Sequence, residues 1–134
     1  MDSLQPMLAS PVTDIKAFVP ARDLERSLQF YSELGFTVNW SGADIAELQA
    51  GSFRFLLQQF YVEAHAGNFM MSLEVTDLDA WWRYLEQREI AKRYPGIMCR
   101  APAVQPWGIR VLYLSDPTGV LWHITERTVA SRGE

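Results

Sequence analysis

The residues best equipped for chemistry lie in one stretch, Gln105 to Thr125, which carries Trp107, Arg110 and His123 around a turn. Asp116-Pro117-Thr118-Gly119 is strong turn chemistry, because proline presets φ and glycine tolerates positive φ. β-Branched, aromatic and aliphatic residues flank it on both sides, as paired strands require. With Pro117-Thr118 as a two-residue turn, Leu114 faces Leu121 and Leu112 faces His123. That register sets His123 beside Leu112, Leu114 and Leu121 and turns Arg110 toward the same cleft. An imidazole there either exchanges a hydrogen bond with a ligand, acts as a base, or packs against backbone and water. Arg110 either faces the cleft or forms an ion pair with Glu74 or Asp116. Ahead of the first strand, Pro106-Trp107-Gly108 puts a large flat ring on a stiff backbone, suited to walling a cleft or to plugging a core or dimer contact.

A second group lies further upstream. Met70 and Ser72 share a strand face with Glu74 by alternation, and Met70 reads as an apolar cleft contact. Lys16 either neutralises an anionic ligand or snorkels past Asp14 to water. Trp40, Phe53, Phe55 and Phe60 are strand aromatics that divide between core and cleft. Alternation leaves open which face of residues 53–62 looks inward. Trp81 and Trp82 fall on a helical stripe and read as structural, and His65 as exposed. Cys99 has no His or Lys at motif spacing, which argues against a nucleophile.

The elements that must position these residues follow from periodicity. Residues 1–11 read as a flexible leader. Asp14 to Pro20 reads as a strand ending near the proline. Asp23 caps a helix over 24–34, whose stripe is Leu24, Leu28, Tyr31 and Leu34 and whose stop is Gly35. Strands follow at 36–40, 44–49 and 53–62, then a linker at 63–68. A strand at 69–75 leads to Thr76-Asp77 and a second helix, striped by Leu78, Trp81, Trp82 and Leu85 and ending near Arg88. Glu89 to Lys92 lead out of it. Tyr94-Pro95-Gly96 is a turn, 97–99 a short strand, and 101–106 a proline-rich approach to the hairpin. The tail is 128–134.

The order strand–helix–strand–strand–strand therefore occurs twice. Asp23 and Asp77 stand 54 residues apart, and at that offset Val19 meets Leu73, Leu24 meets Leu78, Leu28 meets Trp82, Phe30 meets Tyr84 and Phe36 meets Ile90. The expected fold class is α+β. Two tandem βαβββ modules, 12–62 and 69–127, form one domain as a curved mixed sheet around a cleft.

The totals bound the function. A chain of 134 residues suits one domain, and 49% hydrophobic residues suffice for a packed core. A net charge of −4 with no basic block argues against nucleic acid. A single cysteine permits a reducing compartment. No signal sequence and no membrane span are evident, so the expectation is a cytoplasmic protein without membrane contact.

Two motifs resemble the vicinal oxygen chelate superfamily, which holds glyoxalase I, extradiol dioxygenases and the fosfomycin and bleomycin resistance proteins. Val19-Pro20-Ala21-Arg22-Asp23-Leu24-Glu25-Arg26-Ser27-Leu28-Gln29-Phe30-Tyr31, with Leu34-Gly35-Phe36, is similar to its first strand and helix. Gln105-Pro106-Trp107-Gly108, Arg110 and Asp116-Pro117-Thr118-Gly119 are similar to the bleomycin resistance branch. The branch pattern often has Glu, an aromatic and Asn where this chain has Val111, Leu112 and Val120. The resemblance implies homodimers with clefts shared across subunits, and a Trp107 beside the ligand.

For members that use a metal, the resemblance places ligands at Lys16, Met70 and His123, with a fourth on the strand at 53–62. A divalent ion needs about three His or carboxylate ligands, and this set leaves His123 alone. No metal and no cofactor are therefore expected. The expected function is metal-independent binding of a small, flat molecule such as an antibiotic or secondary metabolite. Its ligand-binding candidates are Trp107, His123, Met70, Ser72, Lys16, Arg110, Leu112, Phe53, Phe55 and Trp40, with no catalytic residue. The alternatives are a metal-dependent glyoxalase- or dioxygenase-type enzyme, and a metal-free lyase or isomerase using His123 or Glu74 as base.

Overall fold

The computed structural model describes residues 10–127. The expected tail, and the expected leader apart from its last two residues, lie outside the described residues. Chain order is β1 (Phe18–Ala21), α1 (Leu24–Glu33), β2 (Thr37–Ser41), β3 (Ile45–Ala50), β4 (Phe53–Gln59), α2 (Glu63–Ala66), β5 (Met70–Val75), α3 (Leu78–Gln87), α4 (Ile90–Arg93), β6 (Cys99–Val104), β7 (Arg110–Ser115) and β8 (Leu121–Glu126). The strands form two four-stranded mixed sheets, ordered β1-β4-β3-β2 and β5-β8-β7-β6. In each, the outer first strand runs parallel to the last and the other pairs are antiparallel. The expected α+β class and repeated module are both present, with the curved sheet realised as two sheets.

Both long helices start where a carboxylate can serve the free N–H groups of the first turn. Asp23 accepts from the Arg26 N–H and Asp77 from the Ala80 N–H. Both end at a residue of positive φ, Gly35 (φ 98°) after α1 and Glu89 (φ 53°) after α3. Leu24, Ser27, Phe30 and Tyr31 bury one face of α1, and Leu78 and Leu85 anchor α3.

The differences from expectation are local. β1 begins only at Phe18 and runs through Pro20, which an edge strand tolerates. The expected linker holds the helical turn α2, and the exit from α3 holds the turn α4. Four-residue helices leave no periodic signature. β6 continues through Pro102 because the pairing with β7 is irregular between Arg100 and Ala103 and β6 lies at the sheet edge.

The β7–β8 register also differs. Leu114 pairs with Trp122, Tyr113 with His123 and Leu112 with Ile124. The loop holds three residues, Pro117 to Gly119, closed by the Asp116 N–H donating to the Val120 carbonyl, with Gly119 at φ 109°. This one-residue shift separates His123 from Leu112. Leu112 is fully buried in the core, so it is not a ligand contact. Burying such a side chain contributes about 1.5–3 kcal/mol.

The two modules share one core. Tyr31 of α1 packs against Phe36, Phe55 and Trp122 with ring centroids 5.5–5.8 Å apart. A buried polar joint reinforces that seam. The Tyr31 hydroxyl donates to Asp116 Oδ2 at 2.6 Å and accepts from Trp122 Nε1 at 2.9 Å. Asp116 Oδ1 accepts from the N–H groups of Thr118, Gly119 and Val120. The Arg22 N–H donates to Thr118 Oγ1. Burial raises the Asp116 carboxyl above its ordinary value despite those donors, and burial beside that carboxylate raises the Tyr31 phenol.

Candidate functional site

Each sheet turns one face to the helices and leaves the other without them, so alternation decides what is offered to a ligand. In the first sheet Val19, Leu48, Phe55 and Leu57 are buried on the helix side. The pairings Phe18–Leu56–Glu47 and Trp40–Glu47 therefore lie across the open side. In the second sheet Leu112, Leu114, Trp122 and Ile124 face the core, and the row Ser72–His123–Tyr113 lies open.

The open face of the first module is closed by its own charges. Lys16 Nζ donates to Glu47 Oε1 at 2.5 Å, and Asn39 Nδ2 donates to Glu47 Oε2 at 2.8 Å. Asp14 Oδ2 accepts from Arg54 Nε at 2.9 Å and lies 3.9 Å from Lys16 Nζ. Glu47 is only 7% exposed. The Lys16 ammonium, and then the Asn39 amide, hold its carboxyl below its ordinary value. Glu47 was not among the sequence candidates. Its signal is an acid alternating with Ala46 and Leu48 in a short apolar strand that needs a cationic partner. Trp40 shares this face and is half exposed.

The open face of the second module is softer. The β6–β7 turn is tightened by the Gly108 N–H donating to the Gln105 carbonyl and the Gln105 N–H to the Ile109 carbonyl, with Gly108 at φ 90°. It presents Trp107, 58% exposed. Trp107, Ile109, Met70, Ser72, His123 and Thr125 line one hollow of about 360 Å³ with Met71 and Val111. His123 Nε2 lies 3.3 Å from Met70 Sδ, and the His123 ring meets Tyr113 edge-on at 4.9 Å. Four of the sequence candidates thus come together here: Trp107, His123, Met70 and Ser72. Ile109 was missed, although it follows the Pro-Trp-Gly turn directly and is half exposed.

A larger cavity of about 500 Å³ lies at the seam between modules, over Phe36, Phe55 and Trp122, with Arg54, Glu74 and Arg127 among its charged lining. Met71 and Ser72 line both hollows, so the two meet along β5. Phe53, 79% exposed, lines the seam cavity too. The open choice for residues 53–62 is settled: Phe55 and Leu57 turn to the core. Phe55 is a core ring that reaches only the cavity wall.

Arg110 needs correction. It alternates with Leu112 and so leaves the His123 face. Its guanidinium reaches both carboxylate oxygens of Asp79 at 3.2 Å, and Glu126 at 3.7 Å. Neither Glu74 nor Asp116 is its partner in those ion pairs. It ties β7 to the start of α3, and its hydrogen bonds, aided by its charge, lower the Asp79 carboxyl.

The implied metal can be tested on these donors. Lys16 is a cation already bonded to Glu47, Met70 offers a thioether, and His123 stands beside it. Among the described residues no three His, Cys, Asp or Glu side chains converge as a ligand set. The three positions do not fit a divalent ion.

Residues 13–124 match the model of the Glyoxalase/Bleomycin resistance protein/Dioxygenase superfamily. A bleomycin resistance protein of Klebsiella pneumoniae is 31% identical over 117 residues, covering 81% of this chain and 87% of the relative. A bleomycin-binding protein solved with bleomycin matches with a TM-score of 0.72 and 22% identity, over 87% of this chain and 100% of that one. A bleomycin resistance determinant encoded on transposon Tn5 matches with a TM-score of 0.69 and 25% identity, over 86% of this chain and 98% of that one. Among the described residues no helix is long and apolar enough to cross a membrane.

Proposed function

The chain belongs to the Glyoxalase/Bleomycin resistance protein/Dioxygenase superfamily, and from that premise we propose that it binds and sequesters a flat antibiotic of the bleomycin class, without a divalent metal and without turnover. The observation that carries this reading is Trp107: a largely exposed indole on a tight turn, over a hollow of thioether, aliphatic and imidazole groups. A planar ligand stacks on such a ring and buries apolar area against Met70 and Ile109. Ser72 and His123 supply the few polar contacts that orient it.

The protein acts in the cytoplasm as a homodimer in this reading. Phe18, Trp40, Phe60, Met70 and Ile109 are each at least half exposed or nearly so, an apolar excess that a second copy would cover. The experiment is calorimetry of chelator-treated protein with bleomycin, followed by recovery of the ligand. Stoichiometric binding with the ligand returned unchanged is expected. Binding that chelation abolishes and nickel, zinc or manganese restores, or conversion of the ligand, overturns it.

A further inference from the structure

We propose that Arg22 and Arg26 together bind a phosphoryl group, as inorganic phosphate or as the monoester end of a small molecule. They line a hollow of about 210 Å³ between the start of α1, the β7–β8 loop and the turn at Tyr94. It shares no lining residue with the hollow that holds Trp107 or with the seam cavity. The inference does not rest on antibiotic binding.

The first support is how the two cations are held. The Arg22 guanidinium lies over the Tyr61 ring, 4.4 Å from its centroid, and donates to the Tyr61 hydroxyl at 2.9 Å. The Arg26 guanidinium lies over the ring of the buried Tyr94 at 4.3 Å and donates to the Arg93 carbonyl at 2.9 Å. A guanidinium stacked in this way is ordered before a ligand arrives, which removes part of the entropic cost of binding. Its remaining N–H groups form a planar fork that matches two oxygens of one phosphate.

The second support is charge. Arg54, Arg93 and Arg110 are each paired to a carboxylate, whereas among the described residues Arg22 and Arg26 form no ion pair. Asp23 is the acid at the hollow, and its carboxylate accepts from the Arg26 N–H as the helix cap. Two guanidiniums against one carboxylate leave the hollow positive on a chain of net charge −4. The Leu24 N–H is taken by Gln59 Oε1 at 2.9 Å, so the two side chains, and not the helix end, carry the site. Pro95, Ile97 and Pro117 form a stiff apolar wall on which the organic part of a monoester packs. Two solvated surface arginines are the competing account, and they would answer to any anion.

The test follows the Arg22 and Arg26 Nε–H signals of the full chain by NMR, in phosphate-free buffer at constant ionic strength. Inorganic phosphate, phenyl phosphate, acetate and chloride are titrated in turn. Saturable shifts of both signals with a phosphate are expected, and none with acetate or chloride. Tighter binding of phenyl phosphate supports a phosphorylated small molecule as the ligand; tighter binding of inorganic phosphate supports the free ion. Arg22→Gln and Arg26→Gln should each weaken binding by about 10-fold or more, the loss of a charge-assisted hydrogen bond. Arg26→Lys keeps the charge without the planar fork and should not bind as the wild type does. Thermal midpoints without phosphate show which variants are folded, and any one of the three suffices for the comparison. Arg88→Gln removes a guanidinium stacked on Tyr84, outside the hollow, and should leave binding unchanged. No saturable shift, an equal response to acetate or chloride, unchanged affinity in the folded variants, or a loss in Arg88→Gln overturns the proposal.

Discussion

The two modules repeat one scaffold and use it differently. Their strand orders are the same and their helices start at the same offset. Equivalent rows across the open faces read Phe18–Leu56–Glu47–Trp40 in the first and Ser72–His123–Tyr113–Arg100 in the second. Lys16 and Met70 stand at the same repeat position. In the first module that position is a cation locked onto Glu47; in the second it is an exposed thioether beside an imidazole. Backbone topology sets where an open face lies. Side-chain identity decides whether that face is filled by an ion pair, as at Lys16 and Glu47, or by softer groups, as at Met70 and His123.

The largest effect is expected where the modules join. Asp116→Ala leaves the Thr118 and Val120 N–H groups and the Tyr31 hydroxyl without their acceptor, while the Gly119 N–H keeps the residue 116 carbonyl, and should cost about 3 kcal/mol or more. Chemical denaturation checks this. A loss confined to the second module, with the first unfolding unchanged, would break the picture of one shared core.

Opposite faces of the second module should respond in opposite ways. Leu112→Ala opens a cavity in the core and should cost about 2–5 kcal/mol of stability. Trp107→Ala removes an exposed ring and should stay within about 0.5 kcal/mol, while weakening bleomycin binding by about 2 kcal/mol, roughly 30-fold. Denaturation midpoints and calorimetry on the two variants separate the effects.

Gly35 and Glu89 stand at one repeat position, 54 residues apart, and both adopt positive φ. Only the glycine does so without strain, so Glu89→Gly should stabilise by up to about 1 kcal/mol. Gly35→Ala should destabilise by a similar amount. Equal responses at the two positions would show that the modules end their helices differently.

The smallest effect concerns acid. Lys16 and Asn39 hold Glu47 below its ordinary value near 4.5. A lowered carboxyl contributes stability that is present above that value and lost as pH falls through the folded-state value. Asp14 and Asp79, lowered chiefly by Arg54 and Arg110, act in the same direction. Asp116 is raised, and its contribution has the opposite sign: present at low pH and lost as pH rises through its folded value. Glu47→Gln should therefore flatten the acid limb of a stability profile below about pH 4.5, and leave neutral-pH bleomycin binding unchanged if the first module's face is as closed as its ion pairs imply.

What could be read from the sequence was the local part. Both helices, their Asp23 and Asp77 caps and the repeat rest on contacts within a few residues, while Trp107, His123, Met70 and Ser72 are brought to one hollow by the sheet. The hairpin register did not, because Gly119 in a left-handed conformation lengthens the loop by one residue, and one residue is enough to send Leu112 and Arg110 to the other side. Glu47 and the Tyr31–Asp116 joint depend on partners 31 and 85 residues away, which no local pattern encodes.

The most direct test of the central claim is the thermal midpoint of chelator-treated protein with bleomycin, for the wild type and Trp107→Ala side by side. Ligand at about 100 times its Kd should add about 2.7 kcal/mol, a rise in Tm of roughly 8–14 °C for the wild type, and much less for the variant. No rise in the wild type, or an equal rise in both proteins, would contradict the assignment of the second module's open face as the antibiotic site.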